Sequence, residues 1–211
     1  MDTKLKIKRA ALKLFNQHGL INVTLRDVAK DISKSYGNIT YHFRNKEMLI
    51  ESIYNDMMQE LSIINKGIMD SKESLFTKIL KAPNYTFDIT MRYLFFYVDF
   101  VEIRRNFIGV FEKIDANNKS RMEMWKYSLI ELQTQNYIRK ELSEENLFYL
   151  MELSGAMRTF FFLKLTKNQL KEEGLKIKYI EYTNKLFYPY LTEKGRYEYK
   201  EIQHLSDTAT S

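Results

Sequence analysis

The chain has 211 residues, and 45% of them are hydrophobic, which is enough for a packed core and excludes wholesale disorder. It contains no cysteine, which excludes disulfides and thiolate metal sites. The first 50 residues hold ten Lys or Arg and four Asp or Glu, so they carry the entire net charge of +6. A basic segment on a neutral remainder predicts a polyanion-binding head joined to a separate body, with a solvated charged face as the alternative.

The composition indicates an all-α protein. Seven glycines and two prolines are few for this length, and this scarcity of helix breakers favours helices over a sandwich or barrel. No apolar run reaches 18 residues, and no apolar stretch follows the charged start of the chain. We therefore expect no transmembrane helix, no membrane partner and a cytoplasmic location.

The basic head opens with an amphipathic helix. Thr3 can cap its start, and Gly19 stands where a left-handed residue would end it. The apolar positions between them fall three and four residues apart, as on one face of a helix. They are Ile7, Ala10, Ala11, Leu14 and Phe15.

Two shorter helices follow the first. Thr24 is the predicted N-cap of one, and Ser35 caps the next after a brief break at Ile32 and Ser33. Asn45 then caps a fourth helix. Two short helices across a tight turn, lying on a first helix, predict a helix-turn-helix motif.

The second helix of this motif has a polar outer face, as expected of a helix that reads the major groove of DNA. Gly37 lies inside it at a cost of about 1 kcal/mol against alanine, which either a close approach of DNA or a weak first turn would explain. Lys46 in the first turn of the fourth helix opposes the helix dipole. A phosphate partner would account for this lysine, and so would simple solvation.

The order of residues in the head resembles that of the TetR family of bacterial transcriptional regulators over about residues 4–53. Three runs carry the resemblance: Ala10-Ala11-x-x-Leu14-Phe15-x-x-x-Gly19, Thr24-x-x-Asp27-Val28-Ala29 and Ser35-x-Gly37-Asn38-Ile39-x-Tyr41-His42-Phe43-x-Asn45-Lys46-Glu47-x-Leu49. The resemblance implies an all-helical homodimer that places one helix per subunit in the major groove of a palindromic operator. It also implies a small inducer bound in the body.

Three positions depart from the family pattern. Tyrosine is common in the family where Thr40 stands, a small or basic residue where Tyr36 stands, and glycine where Ser33 stands. Thr40 removes one phosphate contact that the family pattern offers. Tyr36 would place an aromatic ring near the base edges, so an operator sequence does not carry over from relatives.

We accordingly predict a helix-turn-helix DNA-binding domain over residues 1–47 and a helical ligand-binding and dimerisation domain over residues 48–211. The expected partner of the first is a double-stranded, inverted-repeat operator. The predicted DNA-binding residues lie on the second and third helices and at the start of the fourth. They are Thr24, Arg26, Ser35, Tyr36, Gly37, Asn38, Thr40, Tyr41, His42 and Lys46.

Helical patterning continues through the body. We predict five helices, over residues 71–81, 85–111, 120–138, 143–165 and 175–191, followed by a partly helical tail over 192–211. Pro83 ends the first, the second bends near 104–107, and a polar break at 115–119 precedes the third. Residues 143–165 and 175–191 are apolar on several faces, and Ala156 permits close helix approach. They predict a four-helix dimer interface, with an internal hairpin of a monomer as the alternative.

Aromatic side chains are concentrated between residues 85 and 111, which hold nine of them. The three consecutive rings at 95–97 would sweep about 200° of a helix, more than one core stripe can bury. We therefore predict a pocket for a lipophilic or aromatic small molecule, with an ordinary core as the alternative. If Asp99 and Glu102 face this pocket rather than solvent, they would add a preference for cationic ligands. The predicted lining is Met57, Leu61, Phe95, Phe96, Phe100, Phe107, Phe111 and Trp125.

These features predict a ligand-responsive transcriptional repressor that a lipophilic small molecule releases from its operator. The alternative is a TetR-like DNA-binding protein that takes its signal from a protein partner. No histidine has a histidine or carboxylate partner at ligand spacing, and the sequence has no phosphate-binding glycine loop or nucleophile elbow. We therefore expect no enzyme activity, no metal and no cofactor.

Overall fold

The computed structural model describes residues 2–208, with side chains up to residue 203. Helices make up 79% of the structure, and the described residues form no strand, although Ile138 and Leu191 pair in an isolated antiparallel bridge. The predicted all-α fold is thus confirmed. Within this range the helices are α1 (Thr3–His18), α2 (Leu25–Asp31), α3 (Tyr36–His42), α4 (Lys46–Asp70), α5 (Leu75–Arg92), α6 (Phe95–Val98), α7 (Phe100–Asn106), α8 (Ile108–Thr134), α9 (Glu144–Leu163), α10 (Leu175–Lys185) and α11 (Glu193–Thr208).

The contacts divide the chain into two compact units. Unit 1 comprises Met1–Ile63 and Ile89–Ala116, and unit 2 comprises Ile64–Asp88 and Asn117–Ser211. The predicted boundary after residue 47 therefore falls inside unit 1, because this unit continues to Ile63 and also takes in residues 89–116. As a division of function, that boundary stays a prediction. None of the described helices is both long and apolar enough to cross a lipid bilayer.

Side-chain caps define the three head helices. Asp2, rather than the predicted Thr3, caps α1 by accepting a hydrogen bond from the Lys4 amide at 3.1 Å. Thr24 caps α2 in a capping box with Asp27, and Ser35 caps α3, both as predicted. Each cap satisfies an amide that the first turn of a helix leaves without a partner.

Gly19 ends α1 with a φ of 84°, a conformation that glycine adopts without the steric cost of a Cβ. Its amide donates to the Phe15 carbonyl at 2.9 Å. The predicted left-handed stop is confirmed, and it turns the chain towards α2.

Unit 1 is built around one set of buried apolar side chains. The head helices contribute Ile7, Ala10, Ala11, Phe15, Leu20, Val23, Leu25, Val28, Ala29, Ile39, Phe43, Leu49, Ile50 and Ile53. The Phe95 ring of α6 joins them, with its centroid 5.1 Å from that of Phe15. Residues 89–116 therefore complete the core of the head.

The aromatic segment is broken into short helices, which corrects the prediction of one helix over 85–111 with a bend near 104–107. Asn16 of α1 holds the first break. Its side-chain amide donates to the Arg92 carbonyl at 2.7 Å, and its side-chain oxygen accepts from the Phe95 amide at 3.0 Å. Because the helix is interrupted here, the consecutive rings of Phe95 and Phe96 are both buried.

Unit 2 has its own core, formed by α5, the second part of α8, α9, α11 and the segments that follow α8 and α10. Its buried members are Phe76, Ile79, Leu80, Leu129, Leu132, Tyr137, Ile138, Leu147, Leu150, Met151, Phe187, Leu191, Tyr199 and Ile202. The rings of Phe76 and Tyr137 stack with centroids 4.6 Å apart. Ser74 and Thr77 each donate to Oε1 of Glu198 at 2.9 Å, which fixes α11 against the start of α5.

Several helices of the body differ from prediction. α8 runs through the predicted polar break at 115–119, and α10 ends at Lys185 rather than near residue 191. α11 replaces the partly helical tail, because Tyr199 and Ile202 are buried in the unit 2 core and tertiary packing outweighs the polar composition. Residues 209–211 of the predicted tail lie outside the described residues.

α5 also continues through Pro83, where the sequence predicts that the helix ends. Proline lacks an amide hydrogen and displaces the preceding turn, so nearby carbonyls lose helical partners. The buried side chain of Asn184 donates to the Leu80 carbonyl at 2.9 Å. This contact from α10 supports the interrupted turn and lets α5 extend to Arg92.

The packing of α11 gives a stability prediction at Gly195. A Cβ on Gly195 would lie 2.4 Å from the carbonyl oxygen of Tyr137, a backbone atom that no side-chain rotation can move away. We expect Gly195→Ala to lower the free energy of unfolding by about 1–3 kcal/mol, as overpacking does elsewhere. Urea denaturation of the full chain measures the change.

Gly67→Ala in α4 is the matched control, because no neighbouring atom lies within 4 Å of its added Cβ. Alanine is a better helix former than glycine, so this variant should gain up to about 1 kcal/mol. Equal effects from the two substitutions would contradict the close packing at Gly195.

Candidate nucleic-acid interface

Helices α2 and α3 form the predicted helix-turn-helix on unit 1. The turn between them contains Ser33 with a φ of 53°, so serine adopts the left-handed conformation for which glycine is usually chosen. The turn is closed by backbone bonds from the Ser33 amide to the Lys30 carbonyl at 3.1 Å and from the Lys34 amide to the Ala29 carbonyl at 2.9 Å. These bonds fix the direction in which α3 leaves α2.

α3 has a buried side and an exposed side. Ile39 and the following Phe43 are buried in the core of unit 1, which seats the helix on α1 and α2. On the opposite side, Tyr36 is 47% exposed and Tyr41 is 85% exposed. The helix therefore presents two aromatic side chains away from the protein, as the predicted reading face requires.

Two of the predicted DNA-binding residues serve as helix caps. The Thr24 hydroxyl accepts from the Asp27 amide at 3.3 Å and donates to the Asp27 carboxylate at 2.6 Å. The hydroxyl and, at 2.8 Å, the backbone amide of Thr24 both donate to the Asp27 carboxylate. These two bonds lower the pKa of the Asp27 carboxyl, because they favour its charged form. The Ser35 hydroxyl accepts from the Asn38 amide at 3.2 Å, so both hydroxyls already have partners within the protein.

The side chains of Thr40 and Asn38 are each constrained within the protein, in different ways. The Thr40 hydroxyl lies 3.3 Å from the Tyr36 carbonyl and 3.2 Å from the Gly37 carbonyl, to which it donates within the helix. The side-chain oxygen of Asn38 is buried and has no hydrogen-bond partner among the described residues. The Thr40 hydroxyl is therefore used within the helix, and the Asn38 oxygen is shielded by burial.

Gly37, Tyr41 and His42 lie on or beside the exposed side of α3. A Cβ on Gly37 would meet only the Ser35 hydroxyl at 3.9 Å, so packing within the unit does not require glycine there. The ring of His42 is half-buried and stands edge-on to Tyr41 at 5.2 Å between centroids. Arg26 of α2 completes this surface, with its guanidinium carbon 5.4 Å from the centroid of the Tyr36 ring.

Lys46 differs from the other predicted DNA-binding residues, because its ammonium group is half-buried inside unit 1. It donates to the Leu20 carbonyl and lies 5.6 Å from the Phe15 ring centroid and 5.5 Å from that of Phe107. Burial lowers the pKa of the Lys46 ammonium. The Lys46 ammonium in the first turn of α4 therefore binds the Leu20 carbonyl, a partner within the protein that the sequence did not indicate.

Leu20 is held from its other side as well. The Asp99 carboxylate accepts from the Leu20 amide at 2.8 Å, so both polar backbone groups of Leu20 bind side chains from distant parts of unit 1. Burial raises the pKa of the Asp99 carboxyl. Asp99 is half-buried and takes part in this contact, so it is not simply a solvated residue, and its place in a ligand pocket stays a prediction.

We call this arrangement of Lys46, Leu20 and Asp99 the Leu20 clamp. Further contacts strengthen the link between α4 and residues 89–116: the Glu47 carboxylate accepts from the Gly109 amide at 3.0 Å, and Lys113 pairs with Glu51. The clamp lies next to Val23 and Thr24, which lead into α2. Sequence reasoning missed it because its members are separated by up to 79 positions.

The predicted ligand residues are divided between the two units. Trp125 packs against the unit 2 core. In unit 1, Phe95 is fully buried and Phe96 contacts Tyr54 at 5.4 Å between ring centroids, so both rings belong to the core. The remaining predicted residues of unit 1 are the buried Met57 and the half-buried Leu61, Phe100, Phe107 and Phe111.

A cleft does open on unit 1, but in another place. It has a volume of about 360 Å³ and lies between α1 and α4, and none of the predicted ligand residues lines it. Among the described residues, no three His, Asp or Glu side chains are grouped so that they could hold a metal ion.

Known proteins share both the head and the whole fold. The sequence profile of bacterial regulatory proteins of the tetR family matches residues 7–53. The chain is 25% identical over 122 residues to the HTH-type transcriptional repressor KstR2 of Mycolicibacterium smegmatis, covering 57% of this chain and 60% of that protein. It is 26% identical over 182 residues to IcaR of Staphylococcus aureus, the negative transcriptional regulator of the biofilm operon icaADBC, covering 80% and 92% of the two chains.

Solved structures agree with these relatives. A TetR-family transcriptional regulator from Marinobacter aquaeolei VT8 superposes with a TM-score of 0.83 at 22% identity, covering 97% of this chain and 98% of the other. The ketosteroid transcriptional regulator KstR2 of Mycobacterium tuberculosis gives 0.74 at 15% identity, covering 91% and 96%. With the helix-turn-helix geometry described above, residues 7–53 form a head of the TetR family of bacterial regulatory proteins, and the chain as a whole has the fold of TetR-family transcriptional regulators.

Proposed function

We propose that this regulator is a repressor that binds an inverted-repeat operator as a homodimer and is released from it by a lipophilic small molecule. The observation that carries the proposal is the exposed side of α3, which stands clear of the core in a head that matches the family. The KstR2 and IcaR relatives are named as a repressor and a negative regulator, which supports the sign of regulation.

Dimerisation is inferred from one side of α9. Five residues on this side are exposed in the single chain although most are large and apolar, and they recur at alternating spacings of four and three. They are Tyr149, Leu153, Ala156, Phe160 and Leu163. A heptad stripe of this kind is the pattern by which two helices pack along a shared seam, and an exposed apolar stripe marks a protein interface.

A symmetric dimer would present two copies of α3. A two-fold axis between subunits requires an operator whose half-sites are related by the same axis, about one helical turn of DNA or a multiple apart. The inverted repeat therefore follows from the α9 stripe and the single α3 of each subunit.

Release by a ligand is inferred from unit 1. Phe107 faces Lys46 and is half-buried, so a lipophilic molecule against this ring would act directly on a member of the Leu20 clamp. Moving Lys46 or Asp99 would displace Leu20 and the start of α2, and so shift the population away from the DNA-binding form. The ketosteroid regulator among the structural relatives supports a lipophilic ligand.

A protein partner instead of a small molecule is the second candidate. It is favoured by Phe95 and Phe96, which the sequence assigns to the pocket but which occupy the core of unit 1. In that case the signal would reach the head by contact with the partner, and small lipophiles would have no effect on operator binding.

The DNA-binding proposal is tested by selection from a random duplex library with the full chain, which should enrich an inverted repeat. On that sequence Lys46→Ala should weaken binding and lower the free energy of unfolding by about 1–3 kcal/mol, because the Leu20 carbonyl loses its donor. The slope of log affinity against log salt should not change, since an internal lysine neutralises no phosphate. Anisotropy titrations at several salt concentrations and urea denaturation measure these quantities.

Lys140→Ala is the control, because Lys140 is an exposed lysine of unit 2 and its loss should alter neither quantity. Suppose instead that Lys46→Ala lowers the magnitude of the slope of log affinity against log salt by about 0.9 and leaves the free energy of unfolding unchanged. Lys46 then contacts a phosphate, and it does not hold Leu20.

The dimer is tested with Ala156→Arg at the centre of the α9 stripe. An arginine buried in an apolar seam has no partner for its charge, so sedimentation should give a monomer that no longer binds the inverted repeat. Met124→Arg on α8 changes an equally exposed apolar residue outside the stripe, 67% exposed, and should stay dimeric. A monomeric wild-type chain would exclude the proposed interface.

The ligand is tested with palmitic acid and cholestenone as lipophilic probes. A probe that binds the folded state should raise the melting temperature in proportion to the logarithm of its concentration, and the same probe should release the chain from its operator. Phe107→Ala should remove both effects if the probe acts through Phe107. Operator binding that is indifferent to both probes would favour the protein-partner alternative.

A further inference from the structure

Arg26 and Tyr36 form a stacked pair on the exposed side of the head. Arg26 is the second residue of α2, and Tyr36 is the first residue of α3. The guanidinium carbon of Arg26 lies 5.4 Å from the centroid of the Tyr36 ring, within the range of a cation–π contact. The pair bridges the turn of the helix-turn-helix and lies at the amino-terminal end of α3.

The donors of Arg26 have no partner among the described residues. Arg26 makes no hydrogen bond or ion pair with them, and its guanidinium contacts the ring of Tyr36. A guanidinium group has five N–H donors in a fixed plane. Stacking on a ring occupies the face of this plane and leaves the donors at its edge available.

Neighbouring side chains are less able to read bases. The hydroxyls of Ser35 and Thr40 hydrogen-bond within the protein, and the side-chain oxygen of Asn38 is buried. The amino-terminal residues of a recognition helix are the ones that contact base edges. Tyr36 is such a residue, and its ring holds the guanidinium of Arg26, which belongs to α2, beside this end of α3.

We propose that Arg26 reads one guanine in each half-site and that Tyr36 positions it. Two N–H groups of the guanidinium donate to O6 and N7 of the guanine, which is the commonest specific contact in the major groove. The Tyr36 ring restricts the guanidinium to one plane, so less conformational freedom is lost when the two bonds form. The proposal rests on the proposed function, because it requires sequence-specific binding of duplex DNA.

The experiment is a selection from a random duplex library with the full-length wild type and three variants, at one salt concentration. The wild type should enrich a motif with one guanine that is required in each half-site. Arg26→Lys keeps the charge but cannot form the two-pronged contact, so the preference for that guanine should fall about 5- to 150-fold. Tyr36→Ala should reduce the preference at the same position, and Tyr36→Phe, which keeps the ring, should retain it.

Tyr41→Ala is the matched control on the same helix. Tyr41 is more exposed than Tyr36, and its ring contacts that of His42 rather than a guanidinium group. Its loss should leave the enriched motif unchanged, whatever its effect on affinity. Melting curves of every variant check that the heads are folded, and the conservative changes Arg26→Lys and Tyr36→Phe keep the test valid if Tyr36→Ala does not fold.

The outcomes separate this proposal from the proposed function. If the wild type enriches no motif, sequence-specific DNA binding itself fails. If the wild type enriches a motif that Arg26→Lys leaves intact at every position, Arg26 does not read a base. If Tyr36→Phe alters the preference as much as Tyr36→Ala does, the tyrosine hydroxyl rather than the stacked guanidinium makes the contact, and the positioning role is overturned.

Discussion

The position of the helix-turn-helix in unit 1 depends on how Leu20 is held. Lys46 binds its carbonyl and Asp99 binds its amide, so a single residue between α1 and α2 is fixed from α4 on one side and from residues 89–116 on the other. Each charge alone would be unfavourable in a half-buried place. Together they offset one another across the Leu20 peptide groups, and loss of either would leave the other without compensation.

Several polar side chains of the head that a DNA-binding face could use are instead bonded within the protein. Thr24 and Ser35 are used as caps, Thr40 is bonded within α3, and Lys46 is inside the unit. A rigid head needs these internal contacts, because a helix of seven residues has little stability of its own. Under the proposal, reading of the DNA sequence is then left to the Arg26–Tyr36 pair, and the exposed Tyr41 is left for contacts that do not depend on sequence.

Local signals in the sequence predicted the head well, and long-range contacts account for what they missed. The caps at Thr24 and Ser35 and the stop at Gly19 each depend on residues within four positions, and all three are confirmed. The role of Lys46 depends on Leu20, 26 residues away. The burial of Phe95 and Phe96 depends on a helix break held by Asn16, which no pattern within the aromatic segment could indicate.

The shortness of α3 has a consequence for the motions of the free protein. α3 has seven residues, and only Ile39 within it is buried, so few apolar contacts oppose its separation from the core. Local opening of such an element costs less than unfolding of the whole unit. Its amide hydrogens should therefore exchange with solvent faster than those of α1, and a bound DNA duplex would slow that exchange by holding the helix in its groove.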